Sequence, residues 1–129
     1  MQHAEYNRER AMERDPYRQA TQLFHLLSHP ARLRILDELR RSEACVCHLQ
    51  VLLGRPQPYI SQQLRVLRDA GVIESRKLGQ FVYYRLADLH TERILEEVLG
   101  PAGEAKHLST CTCPRCTEIA LSSSPPPRV

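Results

Sequence analysis

The residues of this chain with the richest chemistry are its five cysteines, which fall in two clusters. Cys45 and Cys47 form a Cys-x-Cys pair, and Cys111, Cys113 and Cys116 follow in a Cys-x-Cys-x-x-Cys arrangement. Nothing in the sequence marks the chain as secreted, so we expect the thiols to be reduced. Clustered reduced thiols indicate metal or redox chemistry before disulfides, because thiolates are ligands for soft ions.

The Cys45–Cys47 pair lies where a helix is predicted to begin, at the start of an apolar repeat that ends at Gly54. Residues two apart on a regular helix point to nearly opposite sides, because each residue turns the chain by about 100°. The pair can therefore chelate one ion only if the helix start is irregular or is pulled open. A helix N-terminus also favours the thiolate over the thiol. The alternative is two buried cysteines that act as small hydrophobic residues.

The second cluster follows His107 and allows two arrangements. In the first, Cys111, Cys113 and Cys116 complete a three- or four-sulfur site with the first pair, within one chain or across a dimer. In the second, these cysteines and His107 form a separate zinc site. We favour the shared site, because two thiolates alone are a poor site for a soft ion. Trivalent arsenic takes three thiolates whereas cadmium or lead accepts three or four, and five cysteines do not decide between them.

Apolar residues repeat at helical spacing in five segments, and several of these segments are bounded by Pro or Gly. Pro30 suits the first turn of the second helix, and Pro58 is tolerated because it lies in the first turn of the fourth. The apolar positions are Ala20, Phe24 and Leu27; Leu33, Leu36 and Leu39; Val46, Leu49, Leu52 and Leu53; Ile60, Leu64 and Leu67; and Leu89, Ile94, Leu95, Val98 and Leu99.

Two β-rich runs, 72–77 and 81–86, lie between the fourth and fifth helices and flank Leu78-Gly79-Gln80, a hairpin signal. This order predicts a mainly α fold with a β-hairpin wing (α+β), a winged helix-turn-helix. We place the winged helix-turn-helix and dimerisation domain at 17–100, after a charged N-terminal arm at 1–16. A cysteine-rich tail at 101–129 follows, and we expect its Ser- and Pro-rich end to be disordered.

Charge is distributed unevenly along the chain. Residues 55–85 carry six basic and two acidic side chains, whereas residues 86–104 carry one basic and five acidic side chains. The positive charge is therefore concentrated on the predicted reading helix and hairpin, as nucleic-acid binding requires. No apolar run approaches the ~20 residues that span a bilayer, and no leader is visible, so we expect a cytoplasmic protein with no membrane partner.

Amide and hydroxyl side chains that can reach base edges lie on the fourth helix, and basic side chains follow them. Arg65 and Arg68 suit phosphates, and the hairpin residues suit the DNA backbone or a minor groove. The alternative is an ordinary solvated helix face. It explains the whole group of residues less well, because a turn, a helix and a basic hairpin follow one another along the chain in the order of a winged helix-turn-helix. The predicted DNA-binding residues are Gln57, Tyr59, Ser61, Gln62, Arg65, Arg68, Arg76, Lys77 and Gln80.

Three segments resemble the ArsR/SmtB family of metal-sensing repressors: LSHPARLRILDEL at 27–39, ACVCHL at 44–49, and ISQQLRVLRDAGVIESRKLGQFVYYRL at 60–86. The resemblance implies a homodimeric repressor that binds a palindromic operator when metal-free and leaves it when metal binds. A dimer also follows from the small size of one reading head, since two-fold symmetry spans two successive major grooves. The predicted dimerisation residues are Leu89, Leu95, Val98 and Leu99.

The ACVCHL segment resembles the family's metal box, with Cys45 and Cys47 at its two leading cysteines. Gln50 stands where arsenic sensors place a third cysteine, and His48 replaces a common aspartate. The N-terminal arm, from which the family's cadmium and lead sensors draw further ligands, has no cysteine. We therefore expect the tail to supply them, with arsenite or antimonite as the first choice of inducer, cadmium or lead as the second, and zinc possible.

A second family site, on the C-terminal helix, opens with Asp-x-His, which Asp88 and His90 match. Pro101 and Glu104 stand at the partner positions, so the expected histidine is missing. We predict that Asp88 is a helix N-cap and His90 an ordinary first-turn residue.

Two other classes of function compete with the metal-responsive repressor. An enzyme would need a nucleophilic cysteine with His48 or His107 as base, but no oxyanion device, Gly-rich loop or positioned carboxylate accompanies them. We therefore predict that the chain is not an enzyme. A redox-sensing repressor of the same fold is the stronger rival, in which Cys45 or Cys47 pairs with a tail cysteine on oxidation.

Overall fold

The computed structural model describes residues 15–104. Two segments lie outside the described residues. One is residues 1–14 of the predicted N-terminal arm, and the other is the tail from residue 105, which includes His107 and the three tail cysteines. The elements in chain order are α1 (Pro16–Leu27), α2 (Pro30–Arg41), β1 (Ala44–Cys45), α3 (Val46–Leu53), α4 (Gln57–Asp69), β2 (Ile73–Leu78), β3 (Phe81–Leu86) and α5 (Leu89–Leu99).

The helix ends follow local sequence signals. The Asp15 carboxylate accepts a hydrogen bond from the Tyr17 amide at 3.0 Å and caps α1. Gly54 ends α3 with a φ of 64°, in the left-handed region that a side chain disfavours. Asp88 caps α5 through the backbone amide and hydroxyl of Thr91, at 3.1 and 2.6 Å. The prediction that Asp88 is an N-cap is therefore confirmed.

The core lies where α2, α3, α4 and α5 meet, and its centre is made of aliphatic side chains that are fully buried. Ile60, Leu64 and Leu67 lie on one face of α4 and are each at most 1% exposed. This agrees with the predicted i, i+4, i+7 pattern and fixes the rotation of α4 about its axis. The outward face of the helix is thereby fixed as well.

The predicted apolar face of α1 is only partly correct. Leu27 is buried, but Ala20 is exposed and Phe24 is 58% exposed. Leu23, Leu26 and Leu27 pack against the core instead, because these positions form the i, i+3, i+4 stripe that meets α2. Phe24 therefore faces away from the core. It lies on the same side of the helix as the exposed Tyr17, which is nearly two turns earlier.

The wing is a three-stranded antiparallel sheet with strand order β1-β3-β2. β2 and β3 form the predicted hairpin, in which Leu78 pairs with Phe81 and Gly79 has a φ of 62°. β2 begins at Ile73, one residue later than predicted. The segment before α3 supplies an additional strand that was not predicted from the sequence, with Ala44 opposite Tyr84 and Cys45 opposite Tyr83.

Within residues 15–104, none of the helices combines the length and apolar character needed to cross a membrane.

Candidate nucleic-acid interface and thiol site

The outward face of α4 carries the predicted base-reading residues. Gln57 and Gln62 are exposed, and Arg65 and Arg68 follow them on the exposed side of the same helix. Ser61 is half-buried. Amide and guanidinium groups on such a face match the donors and acceptors of the major groove, so the helix-turn-helix presents a surface suited to DNA.

Tyr59, also predicted to contact DNA, is half-buried and packs against the core. The guanidinium carbon of Arg55 lies 5.0 Å from the centroid of its ring, within the range of a cation–π contact. Arg55 was not among the predicted site residues, although its place in the loop before α4 brings a further positive charge to this surface.

Gln63 faces the interior, unlike its neighbour Gln62. It is 7% exposed, and its side-chain oxygen accepts a hydrogen bond from Arg32 Nε at 2.9 Å. Arg32 also donates to the Leu26 carbonyl at 3.3 Å. One guanidinium thus joins α1, α2 and α4 and supports the angle of the reading helix. This pair was not predicted from the sequence, although Gln63 lies three residues after Ile60 on the buried face.

The basic residues of the wing differ in their partners. Arg76 forms a two-bond ion pair with Glu43, from Nε at 2.9 Å and from the terminal nitrogen at 2.5 Å. This hydrogen bond and the charge of Glu43 raise the pKa of Arg76. Arg85 pairs with Glu74 at 2.7 Å on the neighbouring strand. Lys77 is exposed and makes no ion pair within residues 15–104, so its charge is available to phosphates.

Gln80, the remaining predicted contact on the wing, is exposed at the hairpin turn. This places its side chain at the tip of the wing, beyond the last strand pair. The hairpin signal at residues 78–80 predicts that position, and contact of Gln80 with DNA stays a prediction.

The two cysteines of the first cluster have different surroundings. Cys45 is 5% exposed, lies at the N-cap of α3, and its sulfur accepts a hydrogen bond from the His48 amide at 3.4 Å. It packs beside Tyr83 of the wing. Cys47 is exposed on the first turn of the helix. One thiol is therefore buried and the other exposed.

The described part of the chain contains no group of three or more His, Cys, Asp or Glu side chains arranged to hold a metal ion. Cys45 and Cys47 thus offer at most part of a thiolate site, and Cys45 must turn outward to join Cys47 on one ion. Any further sulfur ligand must come from outside residues 15–104.

A buried polar cluster lies next to Cys45. Glu38 and His48 are 1% and 3% exposed, and Glu38 Oε1 lies 3.0 Å from His48 Nε2. The other carboxylate oxygen accepts a hydrogen bond from Arg41 at 3.2 Å. Burial acts to raise the pKa of Glu38, but the hydrogen bond and charge of His48 and those of Arg41 outweigh it and lower the pKa. The cluster fixes the start of α3 against α2.

The same cluster continues to the end of α5. Asp37 bridges Arg41 at 2.9 Å and Arg40 at 2.8 Å. The buried Arg40 side chain then donates to the Gly100 carbonyl at 2.6 Å. A Cβ added at Gly103 would lie 3.9 Å from Nε of Arg41. The chain that leaves α5 therefore passes the C-terminal end of α2, from which residues 42–44 lead directly to Cys45.

The predicted dimerisation residues on α5 divide into two groups. Leu89, Val98 and Leu99 are 68%, 73% and 47% exposed, but Leu95 is 1% exposed and belongs to the chain's own core. The prediction for Leu95 is therefore wrong, because this side chain covers the helix bundle from within. His90 is exposed on the first turn of α5.

The family described as "Bacterial regulatory protein, arsR family" matches residues 29–75, which run from the N-cap of α2 into β2. The solved structure of the transcriptional repressor BigR from Xylella fastidiosa superposes with a TM-score of 0.58 at 33% identity, covering 74% of this chain and 94% of BigR. This chain belongs to the ArsR family. The ArsR resemblance and the winged helix-turn-helix prediction are thereby confirmed.

Other relatives agree with this assignment. The transcriptional repressor SmtB of Mycobacterium tuberculosis is 41% identical over 85 residues, which are 66% of this chain and 63% of SmtB. The homodimeric winged helix-turn-helix domain Mb0332 of Mycobacterium bovis has a TM-score of 0.58 at 30% identity, over 63% of this chain and 75% of that domain. ArsR proteins are DNA-binding transcriptional regulators rather than enzymes, which confirms the non-enzyme prediction.

Proposed function

We propose that this chain is a transcriptional repressor that leaves its operator when a thiophilic ion binds its cysteine thiolates. The observation that carries the proposal is the position of Cys45. This residue is at once the N-cap of the first helix of the helix-turn-helix and part of a strand paired with the wing. A ligand at Cys45 therefore acts on the wing directly and on α4 through α3, which packs against it.

The DNA-binding side of the proposal rests on exposed residues of α4 and the wing. Gln57 and Gln62 read bases, Arg65 and Lys77 contact phosphates, and two copies related by a two-fold axis bind a palindromic operator. The exposed apolar side chains of α5 and α1 provide a surface that a second copy covers. The exposed Phe24 and Val98 exemplify it.

The ion-binding side of the proposal needs the tail. Cys45 and Cys47 supply two thiolates, and Cys111, Cys113 and Cys116 supply the rest. The path of Gly100 and Gly103 past Arg40 and Arg41 supports this arrangement, since Arg41 is only four residues before Cys45. Cys111 follows Glu104 by seven residues, and an extended chain of that length reaches at most about 25 Å. Arsenite or antimonite is the first inducer proposed, cadmium or lead the second, and zinc the third.

Ion binding has enough free energy to move Cys45. Thiolate-rich structural zinc sites contribute roughly 10–16 kcal/mol, whereas DNA release needs a coupling free energy of about 1–3 kcal/mol. Turning Cys45 outward breaks its hydrogen bond from the His48 amide and uncovers Tyr83. The cost of these changes is a small part of the ion-binding free energy, so the switch is energetically feasible.

A thiol-based redox switch is the second candidate, and the exposure of Cys47 at a helix N-terminus favours it. Peroxide would oxidise the Cys47 thiolate to a sulfenic acid with release of hydroxide, and a tail thiol would then condense with the sulfenic acid to form a disulfide and water. This mechanism also acts on the start of α3, but it needs an oxidant instead of an ion.

The test is DNA release by the fully reduced chain, measured by fluorescence anisotropy. The probe is a DNA fragment selected from a random library for binding to the metal-free protein. Arsenite, antimonite, cadmium, lead and zinc are added in turn, and peroxide is added in a parallel series. We expect release by at least one thiophilic ion under reducing conditions. Release by peroxide alone would establish the redox switch and refute the ion-responsive repressor.

Cys47→Ser and truncation after Leu108 test the composition of the site. Both variants should bind DNA as tightly as the parent chain, because neither alters the core, and both should lose the ion response and the thiolate charge-transfer absorbance. His90→Ala is the matched control and should respond normally, since this exposed residue belongs to neither cysteine cluster. If the truncated chain still binds the ion through three sulfurs and releases DNA, the shared site is refuted.

A further inference from the structure

A row of directly opposed residues across the wing sheet connects the thiol site to a basic residue of the wing. Cys45 of β1 lies opposite Tyr83 of β3, and Tyr83 lies opposite Arg76 of β2. Directly opposed residues of an antiparallel sheet share a face. Cys45 and Tyr83 are accordingly packed together in a small buried cluster, and the guanidinium of Arg76 lies 5.7 Å from the Tyr83 ring centroid.

The Glu43–Arg76 ion pair is a second connection between the segment that carries Cys45 and β2. Glu43 immediately precedes β1 and is two residues before Cys45, so the pair joins the two edge strands across the central strand. The Glu43 side chain is 17% exposed, and both nitrogens of the guanidinium edge are used. A two-bond guanidinium–carboxylate pair fixes orientation as well as distance.

The other cations of the hairpin strands do not make such a connection. Arg85 pairs with Glu74 inside the hairpin, and Lys77 makes no ion pair in the described part of the chain. Arg76 alone among these three joins the hairpin strands by an ion pair to the segment that carries Cys45. Its side chain is half exposed and already bound to a carboxylate, which makes it a poor phosphate ligand in this conformation.

We propose that Arg76 is a positioning residue, which holds the wing in its DNA-binding orientation through Glu43, and that ion binding at Cys45 releases it. This inference rests on the proposed function of the same thiol site. When Cys45 turns outward to meet Cys47, β1 moves away from Tyr83 and carries Glu43 away from Arg76. The wing then keeps only its hairpin pairing and loses its fixed angle to α4.

The test is a double-mutant cycle of Glu43→Gln and Arg76→Gln, measured on selected DNA over a range of salt concentrations. We expect each single variant to weaken DNA binding by about threefold to fivefold, as a partly exposed ion pair allows. The double variant should be no weaker than either single one, and the salt dependence should be unchanged. Glu74→Gln and Arg85→Gln provide the matched control cycle and should change affinity less than twofold.

Direct phosphate contact by Arg76 gives the opposite pattern. Glu43→Gln would then leave DNA affinity unchanged or increase it, and Arg76→Gln would lower the salt slope by about one. Either result overturns the positioning role. Arsenite affinity gives a second readout, because losing the ion pair favours the conformation that the ion binds: Glu43→Gln should bind arsenite more tightly than the parent chain. An unchanged arsenite affinity in an ion-responsive protein also overturns the proposal.

Failure of the proposed function gives a distinguishable result. If no ion releases the parent chain from DNA, the ion-responsive repressor is wrong and with it the proposed release of Arg76. The DNA-binding cycle then still decides whether Arg76 positions the wing. Thermal unfolding of each variant within a few degrees of the parent chain shows that loss of binding does not come from loss of the fold.

Discussion

At the scale of single residues, Glu38 is a charge buried where few carboxylates are tolerated. It is stabilised because His48 and Arg41 both reach it, and Asp37 in turn holds Arg41. A buried charge with several partners contributes to a defined geometry, whereas removal of one partner leaves the others unpaired in a poorly solvated site. The position of α3, and hence of Cys45, depends on this cluster.

We expect Glu38→Ala to lower the free energy of unfolding by about 3 kcal/mol, because His48 and Arg41 lose their shared acceptor. Urea unfolding at neutral pH measures this change. Glu97→Ala, an exposed acidic residue on α5, is the control and should change stability by less than about 0.5 kcal/mol. A loss for Glu38→Ala as small as that of the control would mean that the buried cluster contributes nothing to stability.

The lowered pKa of Glu38 predicts a specific acid response. Its value in the fold lies below the ordinary value of 4.5, so the carboxylate stabilises the fold above that pH. This contribution is lost as the pH falls through the lower, folded pKa. Glu38→Gln should therefore show a shallower fall in unfolding free energy below about pH 4.5 than the parent chain. Parallel curves for the two proteins would show that Glu38 does not titrate in this way.

At the scale of elements, α4 and the wing have different tasks. In the proposed complex with DNA, α4 presents amides that discriminate bases, whereas Lys77 on β2 presents a charge that any DNA attracts. The buried stripe of Ile60, Leu64 and Leu67 holds the amides outward. We therefore propose that sequence preference depends on the helix and that general affinity depends on both elements.

We expect Gln62→Ala to weaken binding to selected DNA by about 1–3 kcal/mol while leaving nonspecific binding almost unchanged. Lys77→Ala should weaken both to the same extent and reduce the salt slope by about one. Anisotropy titrations with selected and scrambled DNA at several salt concentrations distinguish the two effects. An equal loss on both DNAs for Gln62→Ala would remove this residue from base reading.

The long elements were predictable because each carries its own periodic signal. The α4 stripe, the hairpin around Gly79 and the Asp88 cap all depend on residues close together in the sequence, and the structure agrees with each. The two-residue strand β1 is too short to show an alternating pattern, and it forms because β3, nearly forty residues later, offers an edge. Such pairing leaves no local trace in the sequence.

The polar part of the candidate site was less predictable for the same reason. Glu38 looks like one charge among many on α2, and its burial depends on His48, ten residues away. The Glu43–Arg76 pair spans a still longer separation. Leu95 and Phe24 show a different limit, because an amphipathic pattern predicts that a helix has an apolar side but not which neighbour each apolar residue meets.

At the scale of the whole molecule, apolar side chains remain exposed on the two helices that bound the described fold. Tyr17 and Phe24 lie on α1, and Leu89, Val98 and Leu99 lie on α5. A homodimer buries such surfaces by pairing the same patch on two copies about a two-fold axis. The dimer would also set the spacing of two reading helices on a palindromic operator.

We expect Val98→Glu to convert the dimer to monomers and to weaken binding to a two-fold symmetric DNA site by at least tenfold, because one reading head is lost from each complex. The Val98 side chain is 73% exposed within one chain, so a monomer should keep its fold. Sedimentation velocity at micromolar concentration and circular dichroism measure the two properties. Leu78→Glu, at an exposed apolar position on the wing, is the matched control and should remain dimeric.

Leu95→Glu should behave differently from Val98→Glu, because Leu95 belongs to the core of its own chain. A buried unpaired carboxylate should unfold the protein or lower its stability by several kcal/mol, instead of giving folded monomers. If Val98→Glu stays dimeric, the interface lies elsewhere, and Phe24→Glu then tests α1 by the same measurement. Persistence of the dimer in both variants would exclude the exposed apolar faces of α1 and α5 as the surface that joins two copies.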